Sequence, residues 1–208
     1  RPNTLSITNI EYDHADIYAD LNAILWQFHQ LLRTIPSNGS VHVNGHDKNI
    51  EKLLEQGVWT PVETFGSESG TNWTANYDAQ GAESHFNVYR EGIKIGETTW
   101  DLFGKHNLEN ALAALSAAVH AGVSVETGLE ALSEFKGVKR RLEKKGTYGG
   151  ITLYDDFAHH PTAITATICA LRDQQIGGRI VIVIEPGSNT MKMDIHGGLL
   201  LKALEQAD

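Results

Sequence analysis

Two short apolar runs with strand character flank one long amphipathic helical run, and this order constrains the fold more than any other feature. The runs are residues 5–10 (Leu5-Ser6-Ile7-Thr8-Asn9-Ile10) and Val41-His42-Val43. Between them Leu21, Ile24, Leu25, Phe28, Leu31 and Leu32 recur at three- and four-residue steps, the period of a helix with one buried face. Pro36-Ser37-Asn38-Gly39 ends that helix. A second, shorter helix is expected from about Asp47 to Gln56, and another strand near residues 62–65. Strands alternating with helices predict a layered α/β sheet.

The character changes after Trp73. Residues 72–77, 84–89 and 94–100 read as antiparallel strands, with Gln80-Gly81 and Glu91-Gly92 as their turns. Two helices are expected next, about His106 to Ala121 and Val125 to Phe135; the Ala-rich first suits close packing on a sheet. Residues 136–143 combine a glycine with a charge run and form the expected domain boundary, giving units 1–137 and 138–208. Beyond it the pattern restarts with a strand at 151–156 and a helix at 161–172. Arg179 to Ile184, apolar and β-branched, predicts a buried parallel strand. The last ten residues read as a helix that stops on an acid without a cap. The chain starts without methionine and runs straight into a strand, so both ends are expected to be cuts in a longer protein.

Charge narrows the partners. Seventeen basic against twenty-six acidic residues leave a formal charge of −9, which disfavours nucleic acid or an anionic membrane surface. No apolar run approaches the ~18 residues that would span a bilayer. The single cysteine, Cys169, cannot form an internal disulfide, and a reducing cytoplasm is the expected setting.

No GxxxxGK[ST] loop, GxGxxG, HExxH or CxxC occurs, so the chemistry must be sought in polar clusters at strand ends, where open α/β sheets bind ligands. Asn9, Asp13, His14 and Asp16 follow the first strand. They suit a divalent cation, or else a helix cap beside an exposed histidine. His106, Asn107 and Asn110 open the Ala-rich helix; they suit capping, or amide recognition of a purine edge. Lys139-Arg140-Arg141 at the boundary is a solvated run or a phosphate clamp. Tyr154-Asp155-Asp156-Phe157-Ala158-His159-His160-Pro161-Thr162 puts two acids and two histidines after a strand, a grouping that packing does not explain. Ser188, Asn189, Thr190 and Lys192 lie in a polar loop whose cation and hydroxyls suit a carboxylate.

In this order TNIEYDHAD (8–16), GKHNLENALAA (104–114), GVKRRLE (137–143) and DDFAHHPTAI (155–164) resemble the Mur ligase family. The resemblance implies the latter part of the central ATPase domain over 1–137, without its phosphate-binding loop. It implies the start of the C-terminal Rossmann-like domain over 138–208. It further implies an ATP- and Mg2+-dependent carbon–nitrogen ligase acting through an acyl phosphate, with a fragment of this kind inactive alone. On that pattern His14 would ligate magnesium, and His106, Asn107 and Asn110 would hold adenine. Arg141, with Arg140, would reach the ATP phosphates. Asp156 would contact the nucleotide, and His159 and His160 would border the reacting phosphate.

The DD-HHPT form is similar to the branch acting on UDP-N-acetylmuramate. SNTMKM (188–193) is similar to the branch that reattaches a salvaged murein tripeptide, L-Ala-γ-D-Glu-meso-diaminopimelate. Ser188, Asn189, Thr190 and Lys192 would then meet the peptide, with no obligate protein partner implied. One departure is Gly187, where the recycling branch carries an arginine; residues 194–198 also match no family pattern. The alternatives are the L-alanine-adding branch, a folylpolyglutamate-type synthetase, or a nucleotide-binding module without catalysis.

Overall fold

The computed structural model describes residues 1–80, 83–174 and 177–208, with the side chains of 77–80 and 83 outside the description. The first unit runs β1 (Thr4–Ile7), α1 (Leu21–Leu32), β2 (Ser40–Asn44), α2 (Lys48–Glu55) and β3 (Val62–Gly66). It continues with β4 (Trp73–Gln80), β5 (Glu83–Arg90), β6 (Ile93–Trp100), α3 (Lys105–His120) and α4 (Val125–Glu134). Its six strands lie in sequence order in one sheet, parallel from β1 to β4 and antiparallel from β4 to β6.

Parallel neighbours normally need a long crossover, yet six residues join β3 to β4. The register explains it: β4 starts beside the end of β3, pairing Phe65 with Trp73 and Gly66 with Thr74, and continues onward in the same direction. The Glu91-Gly92 turn forms as expected, with positive φ at both residues (50° and 75°), the geometry that twists with the strands. The other expected turn, at Gln80-Gly81, falls partly outside the described residues.

Two cores sandwich the sheet. Ile24, Leu25 and Leu32 of α1 and Ile50 and Leu53 of α2 pack with Ile7, Val41 and Val43 on one face. Leu108, Leu112 and Leu115 of α3 and Leu129 of α4 pack with Phe65, Trp73, Phe86 and Trp100 on the other. Capping sets the helix starts. Asp20, not Asp13 or Asp16, accepts from the Ala23 N–H at the start of α1. Asp47 caps α2 and also accepts from the Ile10 N–H, while Asn49 donates to the Ile10 carbonyl. The chain leaving β1 is thereby tied down just before residues 11–16.

The second unit comprises β7 (Glu143–Tyr148), β8 (Ile151–Asp155), α5 (Pro161–Asp173), α6 (Asn189–Lys192) and α7 (Gly197–Leu204). β7, hidden in the sequence by its charges, pairs antiparallel with β8. The expectation of a buried parallel strand at 179–184 is overturned. Among the described residues they pair with no strand; Ile180, Ile182 and Ile184 pack with α5 and α7, while Val181 is 71% and Val183 96% exposed. The alternation is strand-like, but residues 179–184 form no ladder with any strand of the described residues, and β8 pairs with β7. The final acid is likewise tied rather than free: Asp208 accepts from the Ile180 N–H and pairs with Arg172 at 2.6 Å.

Candidate functional site

The loop leaving β1 meets the second unit across a polar seam. The Thr190 hydroxyl donates to Asp13 at 2.6 Å and accepts from the Ala15 N–H at 3.3 Å. The Asn189 amide donates to Asp16 at 2.7 Å, and the Thr162 hydroxyl to Glu11 at 2.5 Å. His159 Nε2 lies 3.2 Å from Asp13, and His160 Nδ1 lies 3.2 Å from Glu11. Three of the four residues expected to meet a peptide are thus engaged within the protein, since Ser188 also caps α6. Lys192 is exposed and forms no ion pair among the described residues.

Partial burial pushes the Asp13 carboxyl up. The Thr190 hydroxyl, the His14 N–H and the His159 ring outweigh it and bring the group down to about 2. His160 moves below its ordinary value. Burial is the main cause, opposed by Glu11 and reinforced by His196. His14 sits at the apex of the loop with a left-handed backbone (φ 53°), its carbonyl accepting from Ile17 and Tyr18. Its imidazole is exposed and makes no hydrogen bond among the described residues.

A cleft of about 790 Å³ opens between the units, lined by Phe103, Asn107, Lys139, Arg141 and Tyr154 among others. Arg141 is delivered by a strained turn: Arg140 and Leu142 both have left-handed backbones (φ 59° and 48°). Such residues cost roughly 1–3 kcal/mol each and persist where neighbours over-determine them. Here Glu143 accepts from the Arg140 N–H, Asp156 from the Leu142 N–H, and the Arg140 carbonyl from Phe157. Both guanidinium groups lie over the Phe157 ring, at 5.2 and 5.5 Å. Asp156 also accepts from the Ala158 N–H and Thr167, so its carboxylate is occupied in holding this turn.

Across the cleft, Gly104 (φ 93°) precedes α3, and a Cβ there would stand 2.6 Å from that of Ala170. Glycine allows the start of α3 to approach α5. Asn107 donates to the Phe103 carbonyl and Asn110 is exposed. His106, at the start of α3, is held below its ordinary pKa chiefly by burial, against Asp156 and Glu109.

Of the residues singled out in the sequence as separate clusters, the structure brings His159 and Thr190 onto the loop leaving β1, and Asn107 and Arg141 into one cleft. Sequence reasoning missed Glu11 and Thr162 as partners, though both lie inside quoted motifs. It missed Glu109, held by Ser67 and Asn44, because those donors come from other strand ends. It also missed His196, which no motif contains.

A two-unit α/β protein with polar residues gathered along the seam and cleft between units is the class that this geometry defines. The chain belongs to the Mur ligase family: residues 1–118 match the Mur ligase middle domain, and 140–208 the Mur ligase, glutamate ligase domain. It is 47% identical, over its full length, to 45% of the UDP-N-acetylmuramate–L-alanyl-γ-D-glutamyl-meso-2,6-diaminoheptandioate ligase of Haemophilus influenzae. It is 36% identical, over 97% of its length, to 44% of the UDP-N-acetylmuramate–L-alanine ligase of Oleidesulfovibrio alaskensis. The crystal structure of a murein peptide ligase from Psychrobacter arcticus superposes with a TM-score of 0.69 at 40% identity, covering 100% of this chain and 42% of that one. The chain therefore spans about half the length of the relatives it matches.

Proposed function

We propose that the protein to which this chain belongs is an ATP- and Mg2+-dependent ligase. It joins L-Ala-γ-D-Glu-meso-diaminopimelate to UDP-N-acetylmuramate in the cytoplasm, as part of murein recycling. The observation that carries this reading is the 47% identity along the whole chain to a ligase of that name, against 36% to an L-alanine ligase. The seam and cleft fit the chemistry. In the cleft, Asn107 supplies an amide for a heterocycle edge, and His106 precedes it at the start of α3. Arg141, held by the 140–142 turn, supplies a fork for phosphate oxygens. Arg140, against the same Phe157 ring and paired with Asp155, stands beside it.

Magnesium takes most of its ligands from waters and phosphate oxygens, so the exposed His14 imidazole on this strand-end loop would supply at most one ligand beside them. His14 would hold the ion, whose charge offsets repulsion between phosphate and carboxylate oxygens. The muramoyl carboxylate takes the γ-phosphoryl group of ATP, releasing ADP and giving an acyl phosphate; the peptide amine adds to that carbonyl, loses a proton and expels phosphate to form the amide. His159, hydrogen-bonded to Asp13, and His160, whose Nδ1 accepts from the Thr162 N–H beside Glu11, border that phosphate. Asp156 acts by fixing the turn that carries Arg141. Lys192, unpaired among the described residues, is a cation for a peptide carboxylate, with Ser188 capping and Asn189 and Thr190 anchoring the short helix α6 that presents it.

The test is ligation by the full-length protein supplied with UDP-N-acetylmuramate, ATP and Mg2+. Tripeptide-dependent phosphate release and amide formation are expected. Turnover with L-alanine alone would move the protein to the biosynthetic branch, and turnover with neither would overturn the reading.

A further inference from the structure

The turn after α6 aims one more imidazole across the seam. Asp194 takes a left-handed backbone (φ 55°), which Asp tolerates better than most residues, and the chain doubles back into α7. His196, at the head of that helix, makes no capping bond. Its Nε2 instead lies 2.9 Å from the carbonyl oxygen of Tyr12, 184 residues earlier. A carbonyl oxygen only accepts, so Nε2 must carry the proton and donate it. The same ring stands edge-on to His160, centroids 4.8 Å apart at 71°, and edge-on to Tyr12 at 6.2 Å. One side chain therefore touches the backbone that leads into Asp13 and His14, and also the ring of His160. Most other contacts across the seam hold side chains; this one and the Ala15 N–H on Thr190 hold the loop's main chain.

We propose that His196 is a positioning residue for the ligation reaction, fixing the 11–16 loop and His160 in register across the seam through its bond to Tyr12 and its contact with His160. This rests on the ligase reading above. The role requires a donor where Nε2 sits; ring bulk alone does not supply it. Glutamine places its amide nitrogen near that point, asparagine falls short, and phenylalanine keeps the ring without the donor.

The experiment measures tripeptide ligation and thermal melting for full-length wild type, His196→Gln, His196→Asn and His196→Phe. Seating reacting groups is worth orders of magnitude in rate, so His196→Phe should lose roughly 10- to 100-fold in kcat with little change in peptide KM, and His196→Gln should stay within about threefold of wild type. Wild-type kcat in His196→Phe, or equal losses in Gln and Phe variants at unchanged melting temperature, overturns the proposal. If His196→Phe melts early, the other pair decides: Gln must keep the rate that Asn loses, and equal rates overturn it. A wild type inactive with both tripeptide and L-alanine refutes the ligase reading and this proposal with it. An active wild type with a fully active Phe variant refutes the proposal alone.

Discussion

Thr190 donates its hydroxyl proton to Asp13 at 2.6 Å across 177 residues of sequence. Thr190 is 2% exposed, so its side of the contact is shielded from water, and it draws the loop after β1 onto α6 of the second unit. Around it stand Asp16 with Asn189, Glu11 with Thr162 and His160, and His159 on the second oxygen of Asp13. The seam is a hydrogen-bonded network in which acids of the first unit receive hydroxyl, amide and imidazole groups of the second.

Removing that hydroxyl should be costly. In Thr190→Val the volume is kept but a part-buried carboxylate loses a donor, a change worth about 1–3 kcal/mol. Urea unfolding should show that loss, and Thr190→Ser should restore most of it. Acid gives a second check. The Asp13 carboxyl falls from 3.8 to about 2 on folding, held down by the Thr190 hydroxyl, the His14 N–H and His159 against partial burial, so its ionised form favours the folded state. Because the folded value is the lower one, this stabilisation is present above about pH 4 and lost as the pH falls toward 2. The wild type should lose more stability in that window than Thr190→Val. Parallel acid curves would mean that His159 and the His14 N–H hold Asp13 without Thr190.

Much of this architecture is legible in the sequence because the responsible forces are local. The 3.6-residue period of Leu21 to Leu32, the start of α5 at Pro161 and the Glu91-Gly92 turn each follow from chemistry within a few residues. β7 was illegible because Glu143, Lys144 and Lys145 mask a strand that is largely exposed. Arg179 to Ile184 misled for the opposite reason: its apolar alternation is real, but a strand needs a partner, and that partner is a tertiary fact. At the site, motifs marked the residues but not their pairing. Nothing near Tyr12 announces His196, and nothing near Asp156 shows that its carboxylate is spent on the Leu142 N–H.

Arg141 should respond to a change that keeps its charge. Arg141→Lys retains a cation in the cleft but loses the planar fork. ATP KM in the full-length ligase is expected to rise roughly tenfold, as for loss of one charge-assisted hydrogen bond, with melting unchanged. An unaltered ATP KM would remove Arg141 from nucleotide binding and leave the cleft to Lys139 and Lys144.

The interior of the first unit holds a histidine that should make it acid-sensitive. His42 is 1% exposed in the middle of β2, and neither ring nitrogen has a partner among the described residues. Its pKa lies below 6.5, mainly through burial, with His120 and Arg90 also opposing the proton and Glu63 favouring it. A folded value below the unfolded one means that stability falls as the pH drops below about 6.5, because the unfolded chain takes the proton more readily. His42→Leu removes two unpaired polar atoms at similar volume. It should match or exceed wild-type stability at pH 8, and the gap should widen at pH 5.5. Urea midpoints at the two pH values test this; a loss above about 1 kcal/mol at pH 8 would show that the ring is worth more to packing than its unpaired nitrogens cost.

Gly187 offers a gain-of-function test. A Cβ at this position would meet only the Glu185 carbonyl oxygen, 3.9 Å away, and the backbone is not left-handed, so a side chain fits without strain. The residue stands directly before the Ser188 cap of α6, on the loop that carries Lys192. Gly187→Arg would place a second cation there, matching the arginine expected in the recycling branch. A fork on a peptide carboxylate is worth about 1.5–3 kcal/mol, so tripeptide KM should fall roughly tenfold or more while melting stays within a degree or two. An unchanged KM with unchanged melting would mean that Lys192 alone serves the carboxylate and that glycine at 187 costs the enzyme nothing. A raised KM would mean that the peptide passes so close to the 187 backbone that only glycine leaves it room.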